Sequence, residues 1–227
     1  MVESDRKARL DVTLAAGSLD PQGPAADQIA GLWWLLLALG AAVYLVFATM
    51  LAVALFRRRA PDAGAGDDGA TPKLERRWIL GAGVVMPVAV LGVVYGATLA
   101  ATGDTWPQPS PDSTVVEVIG HQWFWEVRYS GVDVSTRNEL HIPVGAPVEI
   151  RLTSADVIHS LWVPELAGKM DALPERTNIL VLEADTTGEH MSVCAEFCGL
   201  HHAEMIVRVV AEPRERFEAW LTGEASA

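Results

Sequence analysis

Two stretches without a single charged residue limit what this 227-residue chain can become. The first runs from Ile29 to Leu55 and the second from Trp78 to about Thr102. About 20 apolar residues cross the hydrocarbon of a bilayer, so each run is long enough to span one with some tilt. Trp33 and Trp34 sit near one end of the first run, where indoles favour the headgroup level. Arg57, Arg58 and Arg59 close the other end. Pro87 and the glycines of the second run are tolerated in membrane helices, where neighbours satisfy the freed backbone. A buried helix of a soluble protein is the alternative reading, and the uncharged length argues against it. Residues 29–102 therefore read as a transmembrane hairpin.

The connection between the runs, at about 56–77, is rich in Pro, Ala, Gly and Asp over 60–72. It holds six basic residues, Arg57, Arg58, Arg59, Lys73, Arg76 and Arg77, whereas Asp104 and Asp112 follow the second run. The positive-inside rule then expects a cytoplasmic loop, with both termini outside and the chain in the cell's inner (plasma) membrane. Residues 1–28 are polar and form an extracytoplasmic tail with a loop-like run at Asp20–Pro24. Arg6, Lys7 and Arg9 are not followed directly by an apolar core, so no ordinary signal peptide is expected.

Charge is segregated along the chain. Residues 1–100 hold nine acidic and nine basic residues, and the other twenty acidic and eight basic lie in 101–227. The whole net charge of −12 thus belongs to the C-terminal part. Such a surface steers cationic partners and argues against nucleic acid, although solubility alone would also explain it. The pattern changes here as well. Thr114–Ile119, Trp123–Tyr129, Leu140–Pro143, Val148–Leu152, Ile179–Leu182 and Met205–Val210 are short, β-branched or alternating, with turn signals between them, which suggests a sandwich or barrel. Arg214 to Leu221 reads as a short terminal helix.

The only two cysteines, Cys194 and Cys198, lie in the run Cys194-Ala-Glu196-Phe-Cys198-Gly199-Leu-His201-His202-Ala-Glu-Met205. Thiolate, imidazole and thioether suit copper rather than magnesium or calcium. Gly199 lets the backbone turn sharply between the second sulfur and the histidines. A disulfide across three residues would close a tiny loop and stabilise little. Zinc seldom takes a methionine and usually pairs C-x2–4-C with a second such pair or with spaced histidines.

The pattern C-x-E-x-C-x3-H-x2-M resembles the binuclear copper (CuA) loop of cytochrome c oxidase subunit II. Asp156-Val-Ile-His159-Ser-Leu-Trp-Val-Pro164 is similar to the family's D-x-x-H-S-x-x-x-P segment, and Ser18–Pro24 ahead of Leu32-Trp33-Trp34 resembles the lead-in of bacterial members. The resemblance covers about residues 18–212. It implies an α+β membrane protein: the N-terminal hairpin, then a cupredoxin-like Greek-key β-barrel over 103–227. It also implies two copper ions held by His159, Cys194, Cys198, His202, Met205 and the carbonyl of Glu196. His202 is preferred over His201 because the family's ligand stands three residues before the methionine. His121, His141 and His190 lack such spacing and are expected to be structural or at the surface.

The same resemblance assigns further roles. Gly120-His121-Gln122-Trp123-Phe124-Trp125 is similar to the family's aromatic stretch, so Trp123 is where electrons would arrive from cytochrome c. Alternation expects Trp123 and Trp125 to point the same way, with core packing the plain alternative for either. The Glu196 carboxylate would bind a magnesium ion at the junction with subunit I. Met170–Asn178 would face that subunit, and Glu75 matches a membrane-edge glutamate at the mouth of a proton path. Subunit III is a further expected partner. The implied activity is that of an oxidase subunit, with oxygen reduced in subunit I and coupled to proton translocation. The donor is cytochrome c or another haem c protein, either separate or a further subunit, because no C-x-x-C-H occurs in the chain. The two cysteines argue against a quinol oxidase subunit. A copper-bearing nitric oxide reductase subunit and a membrane-tethered copper carrier remain as alternatives.

Overall fold

The protein is described by a computed structural model covering residues 17, 19–58, 72–102 and 113–224. The expectations for residues 1–16, for the loop at 59–71 and for Asp104 and Asp112 lie outside the described residues, as do the side chains of Arg57, Arg58, Lys73 and Glu75. The chain forms two compact units, one of residues 31–103 and the other of the remainder.

In the first unit the apolar runs are helical. Helix α1 spans Pro24–Arg58 and begins before the uncharged stretch. Its first turn belongs to the other unit, where Ala25, Ala26 and Ala30 are buried. There the Gln22 amide donates to the Glu165 carbonyl at 2.8 Å and the Ala26 amide to that of Leu166 at 3.2 Å. Gly23 is tight for the same reason, since a Cβ there would stand 2.2 Å from the Glu183 carbonyl. The second run is helix α2 (Pro72–Leu80), a π-helical turn (Gly81–Val85) and helix α3 (Met86–Ala101). Pro87 has no N–H to offer the preceding turn, and the Met86 amide reaches back five residues to the Gly81 carbonyl. Pro24–Phe56 and Arg76–Ala101 are both long and apolar enough to cross a membrane. Large side chains such as Tyr44, Leu45, Phe56, Ile79 and Leu91 are exposed along them. Apolar surface on this scale is untenable in water and suits lipid.

The second unit is a β domain with, among the described residues, eleven short strands: β1 Thr114–His121, β2 Phe124–Tyr129, β3 Ser135–Arg137, β4 Glu139–Pro143, β5 Val148–Ser154, β6 His159–Trp162, β7 Met170–Ala172, β8 Asn178–Leu182, β9 Gly188–Met191, β10 Val193–Cys194 and β11 Arg208–Glu212. They form a five-stranded sheet in the order β3-β2-β1-β5-β8 and two three-stranded sheets, β10-β6-β7 and β4-β11-β9. Strand β1 pairs parallel with β5, and β11 pairs parallel with β4. Alternation works as expected in β5, where Val148, Ile150 and Leu152 are buried and Arg151 is exposed. These residues meet Trp125, Leu140, Ile142, Leu161 and Leu182 in one core. Helix α4 (Arg214–Glu224) runs past the expected Leu221 and turns Phe217 and Trp220 toward Tyr129.

Two expected strands change at their ends. Trp123 lies in the turn before β2, and Met205–Val207 lie in a connection before β11 begins at Arg208. Trp123 and Trp125 therefore do not share an orientation. Period-two alternation starts only at Phe124, so Trp125 is fully buried while Trp123 stays half-exposed.

Candidate metal centre

Strands β6 and β10 lie side by side, with Cys194 opposite Leu161. This pairing carries the histidine at the start of β6 to the sulfur at the end of β10. One ring nitrogen of His159 and the sulfurs of Cys194 and Cys198 lie within 4.8 Å of one another, all buried. The two sulfurs are 3.8 Å apart. Cys198 Sγ is 3.6 Å from His202 Nδ1 and 3.8 Å from Met205 Sδ, and Cys194 Sγ is 3.3 Å from the Glu196 carbonyl. The fold thus collects all six donors that the family resemblance implies into one cluster. The loop is braced from within: the Cys194 amide donates to the Met205 carbonyl, Ala195 to Ser160 and His202 to Gly199. Gly199 adopts φ +122°, which an L side chain resists.

His159 carries the sign that a metal fits this cluster. Its Nε2 lies 2.8 Å from the Asp156 carboxylate, which also accepts the Gln122 amide. Its Nδ1 is buried without any hydrogen-bond partner. A buried imidazole nitrogen left bare beside two sulfurs fits a metal, because an unsatisfied polar atom there otherwise costs about 1–3 kcal/mol. The soft donors around it suit copper. Burial opposes the charge of His159, but the nearby Cys194 and Asp156 outweigh it and raise its pKa. Burial likewise pushes the Cys194 thiol up, yet His159, the surrounding backbone amides and His202 bring it down to about 6. Burial and the adjacent Cys194 charge push Cys198 up to about 12.

Two supports around the cluster were not assigned a role by sequence pattern. Asp156 fixes the ring orientation of His159, although its place three residues before a histidine was the available signal. Gly120 in β1 comes so close that a Cβ would stand 2.7 Å from the His159 ring. Trp125 meets the same ring edge-on at 5.7 Å. Trp123 lies over the loop: its Nε1–H donates to the Cys198 carbonyl at 3.2 Å, beside a 2.8 Å bond from Gln122 Nε2 to the same oxygen. His201 turns away from the sulfurs, packing edge-on to Trp123 with Nδ1 3.4 Å from Glu204. The Glu196 side chain is exposed. Lys169, Asp171, Arg176 and Asn178 line an open pocket of about 240 Å³, where Asn178 Nδ2 donates to the Asp171 carbonyl. The other histidines are structural. His141 and His190 are buried against Glu212 and Glu165, and His121 stacks on Phe124 beside Glu126.

Comparison with known proteins gives the family. Residues 131–212 match the family model described as cytochrome c oxidase subunit II, periplasmic domain. Cytochrome c oxidase subunit 2 of Branchiostoma floridae is 34% identical over 157 residues, covering 60% of this chain and 68% of that protein. The chain belongs to the cytochrome c oxidase subunit II family. A second subunit II, from Alkalihalophilus pseudofirmus, is 34% identical over 214 residues, 91% of this chain. The chain spans only 61% of the length of that relative. Among solved structures, the periplasmic domain of subunit II of cytochrome oxidase from Bradyrhizobium japonicum aligns with a TM-score of 0.50 and 27% identity, covering 52% of this chain and 96% of that one. The β unit is thus the cupredoxin-like domain of subunit II, preceded by two helices of membrane-spanning length.

Proposed function

We propose that this chain is the copper-bearing subunit II of a cytochrome c oxidase, with His159, Cys194, Cys198, His202, Met205 and the Glu196 carbonyl holding two copper ions. The observation that carries the reading is the buried, unpartnered His159 Nδ1 beside the two sulfurs. When bound, the binuclear centre supplies a one-electron carrier between cytochrome c and the haem of subunit I, where oxygen reduction drives proton translocation. The chain's own residues do the rest. Asp156 holds His159 in one orientation, and such outer partners tune both affinity and ligand basicity. Both sulfurs are buried, although the loop around them is largely exposed, and this burial keeps water from them. Trp123, half-exposed and bonded to the Cys198 carbonyl, offers an aromatic surface to the donor. The acidic C-terminal part steers a cationic haem c protein toward it.

Subunit I, with subunit III, would bind the hairpin and the pocket lined by Asp171, Arg176 and Asn178. The exposed Glu196 carboxylate suits a magnesium ion shared with subunit I. Residues 1–28 and 103–227 would lie outside the cell's inner membrane, with the connection at about 56–77 in the cytoplasm and Glu75 at the edge of a proton path. The test is purification of the full chain with its native companions. Two coppers per chain, a purple mixed-valence spectrum and oxygen uptake with reduced cytochrome c are expected. One copper, a preference for zinc, or nitric oxide as the acceptor would overturn the reading.

A further inference from the structure

The hairpin unit contains a cavity of about 500 Å³ between its two helical runs. Phe47 and Met50 of α1 line one side, and Trp78, Ala82 and Met86 line the other. Arg77 lines it at the α2 end. It is an open groove rather than a closed chamber, since Phe47, Met50 and Trp78 are all exposed, and its volume exceeds that of a packing defect. From Arg77 to Met86 the wall extends about 13 Å along the helix axis, at about 1.5 Å per residue. The π-helical turn Gly81–Val85 forms part of this wall, and its glycines withhold the side chains that would fill the gap. Such turns are frequent where a helix serves a ligand.

The chemistry of the lining is divided. The side walls are apolar, while the α2 end carries the exposed guanidinium of Arg77 with Arg76 next to it. Residues 31–56 and 76–102 contain no acidic residue, and Glu75, just before them, is one acid beside two consecutive arginines. Trp78 marks the same level with an indole, the side chain that favours the headgroup region. An uncharged partner helix would meet the apolar walls but would leave Arg77 unanswered. An anionic phospholipid answers both parts, and basic pockets between membrane helices recognise such headgroups.

We infer that this cavity is a binding site for one acyl chain of an anionic phospholipid whose phosphate pairs with Arg77. The full chain in nanodiscs of equal phosphatidylglycerol and phosphatidylcholine tests it by native mass spectrometry of the lipid retained on release. Phosphatidylglycerol should be retained about fivefold over phosphatidylcholine, the preference expected from one basic group at a membrane surface. Arg77→Gln should bring that ratio to about one. Ala82→Phe should lower retention of both lipids, and the milder Ala82→Leu should lower it partly, with circular dichroism reporting that the helices persist. Equal retention by the unmodified chain, or a preference that survives Arg77→Gln, overturns the site. So does a photo-crosslinker at position 50 that captures a polypeptide instead of lipid in the native membrane.

Discussion

Two buried histidines of the β domain have opposite surroundings. His141 has both ring nitrogens occupied, Nδ1 at 2.8 Å from Glu212 and Nε2 at 2.8 Å from Glu139. Its face stacks on Trp220 at 3.9 Å, and its backbone both donates to and accepts from the Tyr129 hydroxyl. His159 has one nitrogen on Asp156 and the other bare beside two sulfurs. Both rings are buried, and both have carboxylate neighbours. What separates them is the spare nitrogen. A histidine saturated on both sides can only clamp strands and helix α4 together, whereas one held on a single side has a lone pair to give where soft donors stand beside it; His190 has an equally bare Nε2 but is not grouped with the sulfurs.

The contrast is sharpest in a pair of substitutions. His159→Ala should abolish the two-copper spectrum outright, while His141→Ala should keep two coppers per chain. Elemental analysis with visible spectroscopy decides this, and loss of copper from His141→Ala would break the distinction. The His141 change should instead appear in denaturant unfolding as a loss of about 3 kcal/mol, because it leaves the buried Glu212 carboxylate without its partner.

Asp156→Asn probes the side of His159 that is held. It keeps a hydrogen-bonding side chain but removes the charge, so copper affinity measured by competition with a chelator should fall about tenfold, the lower end for outer partners of metal ligands. An unchanged affinity would mean that Gly120 and Trp125 alone orient the ring.

The smallest effect concerns the metal-free protein. With Cys194 lowered from 9.0 to about 6 and Cys198 raised to about 12, thiolate absorbance should show one sulfur ionising near pH 6 and the second only in strong alkali. The depressed Cys194 value contributes stability that is fully present above about pH 9 and is lost as pH falls through about 6. Cys198 has the opposite sign, and its contribution turns unfavourable as pH rises past 9. Two thiols titrating together would show that the sulfurs do not see different surroundings.

Long features were legible in the chain itself. The uncharged runs announced the helices, and alternation through Val148–Ser154 announced a half-buried strand. The spacing from Cys194 to Met205 picked out residues that the fold does gather. Short features were not. Strands β6 and β10 have four and two residues, too few for alternation to register, yet their pairing carries His159 to Cys194. The early start of α1 depends on carbonyls of Glu165 and Leu166, more than 130 residues away. Trp123 and Trp125 looked equivalent because a period-two count cannot see that the first sits in a turn. The hold of Asp156 on both His159 and the Gln122 amide is likewise a product of loop packing and leaves only a weak trace in residue order.

The pairing of β11 has a consequence in time. This last strand lies between β4 and β9, and it follows directly on the segment whose Val207 carbonyl and amide hold Ser192. A growing polypeptide therefore carries Cys194 and Cys198 before it has made the strand that anchors the far end of their loop. Contacts so distant in sequence also form late in folding. Until Arg208–Glu212 arrives the loop lacks its second anchor, and both sulfurs are ordinary cysteines in an unfinished chain, open to oxidation.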